Sequence, residues 1–296
     1  MFKVNQAVIL CGGLGRRLGN LTKQVPKPMI DVCGKPFLEH LIIQLRKNGI
    51  NNIVLLTGYK SALIKDYFKF GKKHGVKITY SYNPPNTDTG SRIFNSKKLL
   101  NKHFLLLYSD NYTSLNIDKL CTKFKKSKKK ILLSLSRKKN GNCSFNKNTS
   151  IVDYSKLRSK KKNFVEIGYM LIDKSILKLL SKDMKNFSQF LELSSKKKLI
   201  SGKIIDAEYL SIGDKRRLYE TKKYFSNNNI LLTDRDGTLN LIPDFERYLL
   251  DPSKIELNLK LVKKLPVQAK YICISNQAGL ATGDLKKQNL ININNQ

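Results

Sequence analysis

A chain of 296 residues, 41% of them apolar, is long enough for one large domain and part of a second, and too rich in core-forming side chains to be disordered throughout. Its formal charge of +34 invites a nucleic-acid partner, but only ten of the 56 basic residues are Arg, and the Lys lie in scattered runs such as 125–130 and 160–162. With abundant Ile and Asn and no Trp, that scatter reads as compositional bias and not as a nucleic-acid stripe, although some of the charge would help attract polyphosphates.

Five Cys without a CxxC pair are neither a disulfide framework nor a zinc knuckle, and fit a reducing cytoplasm. The apolar run 7–11 is too short for a signal segment, and no run approaches the roughly 18 residues of a membrane span.

In chain order, apolar runs predict strands over 7–10, 52–57, 77–81, 104–108, 131–136 and 164–172. Amphipathic stretches predict helices over 36–48, 61–70, 117–126 and 215–225. Strands alternating with helices imply an α/β fold with a mostly parallel sheet, whose ligands sit beyond the C-terminal strand ends. The polar break 226–229 and the new strand at 230–233 divide the chain into domains 1–226 and 229–296.

The first strand runs into Leu10-Cys11-Gly12-Gly13-Leu14-Gly15-Arg16-Arg17-Leu18, followed by Pro26-Lys27-Pro28-Met29. A dinucleotide fingerprint on Gly13 and Gly15 would need glycine at Leu18, and a P-loop would need Gly-Lys-Ser/Thr, so neither template applies. Glycines still let backbone N–H groups approach phosphate closely, and Arg17 brings a forked, permanent charge. Lys27, stiffened between two prolines, adds a fixed cation. A tight turn with solvated basic residues is the plainer alternative for the glycines alone. Asp110 ends an apolar strand, where a lone carboxylate is costly unless it meets a cation or donors; capping a turn with Asn111 is its plainer task. His40, His74 and His103 lie in helix-like or loop contexts and read as structural.

The whole run, with Gly34-Lys35-Pro36-Phe37-Leu38 after it, resembles the sugar-phosphate nucleotidyltransferase family, and most of all guanylyltransferases acting on mannose or D-glycero-D-manno-heptose 1-phosphate. The resemblance covers roughly residues 1–225. It implies a Rossmann-like α/β/α domain in which Leu10, Gly12, Gly13, Gly15 and Arg17 hold a nucleoside triphosphate and Lys27 sits by the α-phosphate. It also implies that Thr89 and Gly90, followed by Ser91 in place of a second glycine, meet the base in a loop, and that Asp110 binds magnesium. Glu166 and Gly168 fall where the family contacts the sugar. A second metal carboxylate often precedes an Ile-Gly pair in this family; here Ser211 precedes Ile212-Gly213, and Asp214 follows as a shifted candidate.

A second motif begins at 230. Asp234 and Asp236 stand two apart at a strand end in Asp-Arg-Asp-Gly-Thr, so one can attack phosphorus and the other protonate a leaving oxygen. With Ser275-Asn276-Gln277 after the strand 271–274, this resembles the haloacid dehalogenase superfamily, and with Asn240 and residues 278–281 its histidinol-phosphate and heptose-bisphosphate phosphatases. The resemblance makes Asp234 the nucleophile, Asp236 the acid/base and Ser275 a phosphate contact, with Asn276 beside it. The superfamily's later lysine and acids have no room between Gly283 and Gln296, so a partial, truncated phosphatase domain without useful activity is expected.

The expectation is therefore a cytoplasmic, magnesium-dependent enzyme that joins a nucleoside triphosphate (GTP first, CTP second) to a sugar 1-phosphate for surface polysaccharide. No nucleic-acid or membrane partner is expected, and a homo-oligomer is compatible. The alternatives are a sugar-phosphate phosphatase whose N-terminal domain only binds substrate, and a basic nucleic-acid-binding protein.

Overall fold

The structure is a computed structural model that describes residues 2–228, 230–235, 238–241, 253, 256–262, 270–274 and 286–294. It divides into two compact units, Met1–Thr221 and Lys222–Gln296. The first unit runs β1 (Gln6–Leu10), α1 (Leu21–Gln24), β2 (Asp31–Val32), β3 (Lys35–Pro36), α2 (Phe37–Lys47), β4 (Asn52–Thr57), α3 (Ser61–Phe68), β5 (Lys77–Tyr82) and α4 (Thr89–Asn95). It continues with β6 (His103–Tyr108), β7 (Asn111–Thr113), α5 (Ile117–Ser127), β8 (Ile131–Arg137), β9 (Cys143–Phe145), β10 (Val152–Tyr154), β11 (Phe164–Asp173), α6 (Phe187–Lys196), β12 (Ile200–Ile204) and β13 (Tyr209–Ser211). Helix α7 (Lys215–Asn228) crosses the division.

Strands β5, β4, β1 and β6 lie side by side and parallel, with Val8 opposite Val54 and Leu106. Antiparallel β11 joins β6 to β8, and β12 runs parallel to β8. The short β9–β10 pair extends β11. The sheet is thus mostly parallel with an antiparallel seam. β1 is apolar without alternation because both of its faces are covered, as in a central parallel strand.

Val8, Leu10, Val54, Leu56, Leu106 and Met170 share one core with Ile93 of α4 and with Phe187, Phe190 and Leu191 of α6. The Phe187 and Phe190 rings stack at 5.1 Å, each burial worth about 1.5–3 kcal/mol. Tyr169, next to Met170, points to the opposite face and donates to Gln44 of α2 at 3.0 Å. Helices therefore flank both faces, and the loops after β1, β4, β5 and β6 gather at one end of the sheet.

The periodicity reading missed α1 and the short strands β2, β3, β7, β9, β10, β12 and β13, and two helices that pack on the sheet, α4 and α6. Residues 89–91, expected as a loop, open α4. Gly90 donates its N–H to Lys185 O at 2.7 Å, and a Cβ there would lie 2.2 Å from Met184 O, so this glycine is fitted to its neighbour. Helix α6 had a readable signal: Asn186 and Gln189 form a capping box ahead of the apolar face. The break expected over 226–229 is displaced, because residues 226–228 continue α7 and the compact units part at Thr221 and Lys222.

In the second unit, strands Ile230–Asp234 and Lys270–Ile274 pair in parallel, and Asn240–Leu241 pairs antiparallel with Glu256–Leu257. Helices Leu259–Val262 and Lys287–Asn294 accompany them. Asp236, Ser275 and Asn276 lie outside the described residues.

Candidate active site

A cleft of about 480 Å³ opens where those loops converge. It is lined by Leu10 and the glycine loop, by Arg17, Lys27 and Asp110, and by 87–89 at the start of α4. The expected phosphate residues are thus together, but the three glycines have different reasons to be glycine. Gly15 is left-handed at φ 67°, and a Cβ there would crowd Thr22 and Lys27 at 2.8 and 3.1 Å. The space beside Gly12 is filled by the Arg92 guanidinium. Gly13 is exposed and meets nothing within 4 Å of a built Cβ, so it is the glycine that leaves room for a ligand.

Lys27 opens a single 3-10 turn, with Pro26 extended before it and Pro28 inside it. That turn carries the ammonium to Asp110, 2.5 Å away; the two side chains are 13% and 25% exposed. A cation and a carboxylate are thereby paired at the cleft wall, so each holds the other in position before any substrate arrives.

Asp110 follows β6, and β13 lies beside the segment after it. Ser211 pairs with Asn111, and Ile212 donates its N–H to Asp110 O at 2.9 Å. The residue two before Gly213 therefore does face the neighbourhood of Asp110, but it is a buried Ser. Asp214, the shifted candidate, is the cap of α7. It accepts the Arg217 N–H at 3.0 Å and pairs with Arg217 Nε at 3.3 Å. The Arg217 N–H, helped by the Arg217, Arg216 and Arg17 charges, holds its carboxyl below the usual range. The structure thus gives Asp214 a capping task, because α7 begins one residue later.

Among the described residues no cluster of three or more His, Cys, Asp or Glu could hold a metal. A single carboxylate is still a suitable donor set for magnesium, which keeps waters and takes its other oxygens from substrate phosphates. Asp110, opening onto a cleft bordered by a glycine loop and Arg17, meets that requirement.

Glu166 and Gly168 sit in an irregular stretch of β11 and do not line this cleft. Gly168, at φ 78°, packs against Asn111 and Tyr108, where a Cβ would come to 2.6 and 2.7 Å. Its N–H donates to Glu166 at 2.9 Å. Burial pushes the Glu166 carboxyl up to about 7, against the opposing pull of that N–H and with the Asp110 charge adding to the rise. Thr89 accepts the Phe187 N–H at 3.0 Å through its hydroxyl oxygen, so it also ties α4 to α6. His40 bonds Val32 O at 2.8 Å and His74 lies 3.8 Å from Glu39, both as structural partners. In the second unit Asp234 is exposed and accepts the Arg235 N–H at 2.9 Å.

Residues 6–192 match the family described as Nucleotidyl transferase. The chain belongs to that family. It is 32% identical over 213 residues to the D-glycero-alpha-D-manno-heptose 1-phosphate guanylyltransferase of Campylobacter jejuni, covering 70% of this chain and 94% of that one. The protein of the same name from Aneurinibacillus thermoaerophilus is 30% identical over 218 residues, covering 70% and 93%. HddC from Yersinia pseudotuberculosis has the same fold, with a TM-score of 0.64 at 24% identity over 75% of this chain and all (100%) of that one. The protein is accordingly a sugar-1-phosphate nucleotidyltransferase. The family match ends at residue 192 and lends the phosphatase-like segment no support. No helix among the nucleotidyltransferase's described residues is long and apolar enough to cross a membrane.

Proposed function

We propose that the protein transfers a guanylyl group from GTP to a D-glycero-D-manno-heptose 1-phosphate and releases pyrophosphate, for nucleotide-sugar and surface polysaccharide synthesis. The observation that carries this is the convergence of Gly13, Arg17, Lys27 and Asp110 on one cleft at the parallel strand ends. The sugar and the base rest on the two heptose 1-phosphate guanylyltransferases, with CTP the next donor to test.

In the transfer, an oxygen of the sugar 1-phosphate attacks the α-phosphorus in line, and the bond to the β-phosphate oxygen breaks. No protein nucleophile is required, so catalysis is positioning and charge stabilisation. Gly13 leaves the backbone open to the phosphates. Arg17 forks onto non-bridging oxygens, and Lys27 stands where charge builds on the α-phosphoryl group. Magnesium, held by Asp110 and phosphate oxygens, would neutralise the departing pyrophosphate. Pyrophosphate release across GTP, CTP, ATP and UTP with heptose, mannose and glucose 1-phosphates tests the proposal. GTP with the heptose phosphate should give the highest kcat/KM, and a clear preference for another pair would overturn it.

Arg17→Lys should lower kcat/KM about tenfold or more, because a point charge cannot reproduce a two-pronged phosphate contact. An unchanged kcat/KM would make Arg17 a solvated neighbour of Arg16. Glu166 gives a pH signature. Its raised carboxyl is protonated below about 7 and ionised above it, and if the sugar reaches past the cleft lining to this side chain, the ionised form would be the better acceptor for its hydroxyls. KM for the sugar phosphate should therefore fall from pH 6 to pH 8, and Glu166→Gln should flatten that dependence. Identical profiles in the two proteins would remove Glu166 from the sugar site. The sign for stability is opposite: the native state binds this proton more tightly than the unfolded chain, so its contribution declines as pH rises from 4.5 to about 7.

The second unit supports a subsidiary reading as a phosphatase-like segment without turnover of its own. Asp234 and Ile274, the last residues of two parallel strands, are partners in register. Phosphate release from heptose 1,7-bisphosphate that disappears in Asp234→Asn would overturn the lack of turnover.

A further inference from the structure

Arg92 of α4 is 2% exposed, yet it borders the cleft. Among the described residues its guanidinium donates to main-chain carbonyls alone. Nε reaches Thr87 O at 3.0 Å. Nη1 reaches Thr57 O and Asn83 O at 2.6 and 3.2 Å. Nη2 reaches Gly12 O, Pro84 O and Pro85 O at 3.1, 2.8 and 3.3 Å. Gly12 follows β1, Thr57 ends β4, and 83–85 follow β5, so one side chain clasps the same end of three adjacent parallel strands.

Two glycines are shaped to it. A Cβ on Gly12 would lie 2.3 Å from Nη1, and one on Gly58 would lie 2.6 Å from both Nη atoms. Among the described residues Arg92 forms no ion pair. Burial pulls its pKa down, with the Cys11, Tyr82 and Asp88 charges opposing it. Carbonyl oxygens satisfy its donors but leave its charge without a counter-ion, and the adjoining cleft is where an anion can supply one.

The bond to Gly12 O has a directional consequence. In a trans peptide, C=O and the following N–H point in opposite directions. Arg92 and the Tyr59 N–H, 3.1 Å from the same oxygen, draw the Gly12 carbonyl inward. The N–H of Gly13 is then aimed outward, on the side where Gly13 is exposed. We propose that Arg92 is a positioning residue of the transfer reaction: it turns the Gly12–Gly13 peptide so that the Gly13 N–H meets the β- and γ-phosphates of the triphosphate, and it locks the three surrounding loops around that geometry.

The inference rests on the transferase reading, so binding of magnesium pyrophosphate by calorimetry runs beside turnover. Arg92→Met should raise KM for the triphosphate and the pyrophosphate Kd at least tenfold each, and leave KM for the sugar 1-phosphate within about twofold. Arg92→Lys, which keeps the charge but cannot span all the carbonyls, should fall between wild type and Met. Full recovery by Lys would show that charge alone matters and would overturn the positioning role. Equal rises in both KM values, or a loss of melting temperature with unchanged pyrophosphate Kd, would also overturn it. Hydrogen exchange on the wild-type chain needs no variant: pyrophosphate should slow exchange in both 11–18 and 89–95, and protection confined to 11–18 would count against the clasp. Tight pyrophosphate binding without turnover on any substrate pair would reject the proposed substrates, and Arg92 would still be judged by binding.

Discussion

Asp110→Asn is expected to lower kcat about 100-fold or more, equivalent to ~2.7 kcal/mol of transition-state stabilisation, while the protein stays folded. The carboxylate follows β6 at the cleft wall, where a magnesium-bound triphosphate would place the charge that develops on pyrophosphate. Asn keeps the shape and one acceptor oxygen but removes the negative charge that attracts the cation. The magnesium concentration for half-maximal rate should therefore rise. Near-normal pyrophosphate release at limiting magnesium would show that Asp110 serves only to hold Lys27.

Lys27→Met is expected to cost a similar factor, about 100-fold in kcat, with the opposite effect on magnesium. The Lys27 ammonium is 2.5 Å from Asp110 and so competes with any metal for that carboxylate. Removing it should lower the magnesium requirement while taking away the cation that meets the α-phosphoryl group. The two variants thus share a loss of kcat but shift the magnesium dependence in opposite directions, which a purely structural ion pair would not do. Melting temperatures provide the control. The pair is partly exposed, so its loss should cost little stability beside its effect on rate. If both variants move the magnesium requirement the same way, the division of labour between Lys27 and Asp110 is wrong.

Much of the first unit was legible along the chain because its signals are local. Continuous apolar runs such as 52–57 and 104–108 are what a strand covered on both faces needs, and the corresponding strands are Asn52–Thr57 and His103–Tyr108. The glycine loop, Lys27 between prolines and Asp110 at a strand end could be named because parallel strands must deliver their loops to one end of the sheet. Helix α4 was not legible: seven residues containing Gly90 and Ser91 have weak helical propensity, and the segment is held by Lys185 O and by the Arg92 clasp.

The sequence by itself determined the alternating strand–helix order, the loops that meet at the cleft, and the residue types those loops present there. These depend on hydrophobic period and strand direction, which neighbouring residues encode. Only the tertiary structure decided which glycine of the loop is left exposed at the cleft, that Asp214 caps α7, that Ser211 stands beside Asn111, and that Gly168 gives its N–H to Glu166. It also decided that a basic residue in mid-helix becomes a buried clasp on three loops. Each of these is a contact between segments far apart in the chain, and its partner is set by how the loops fold back on the sheet, which no local pattern records.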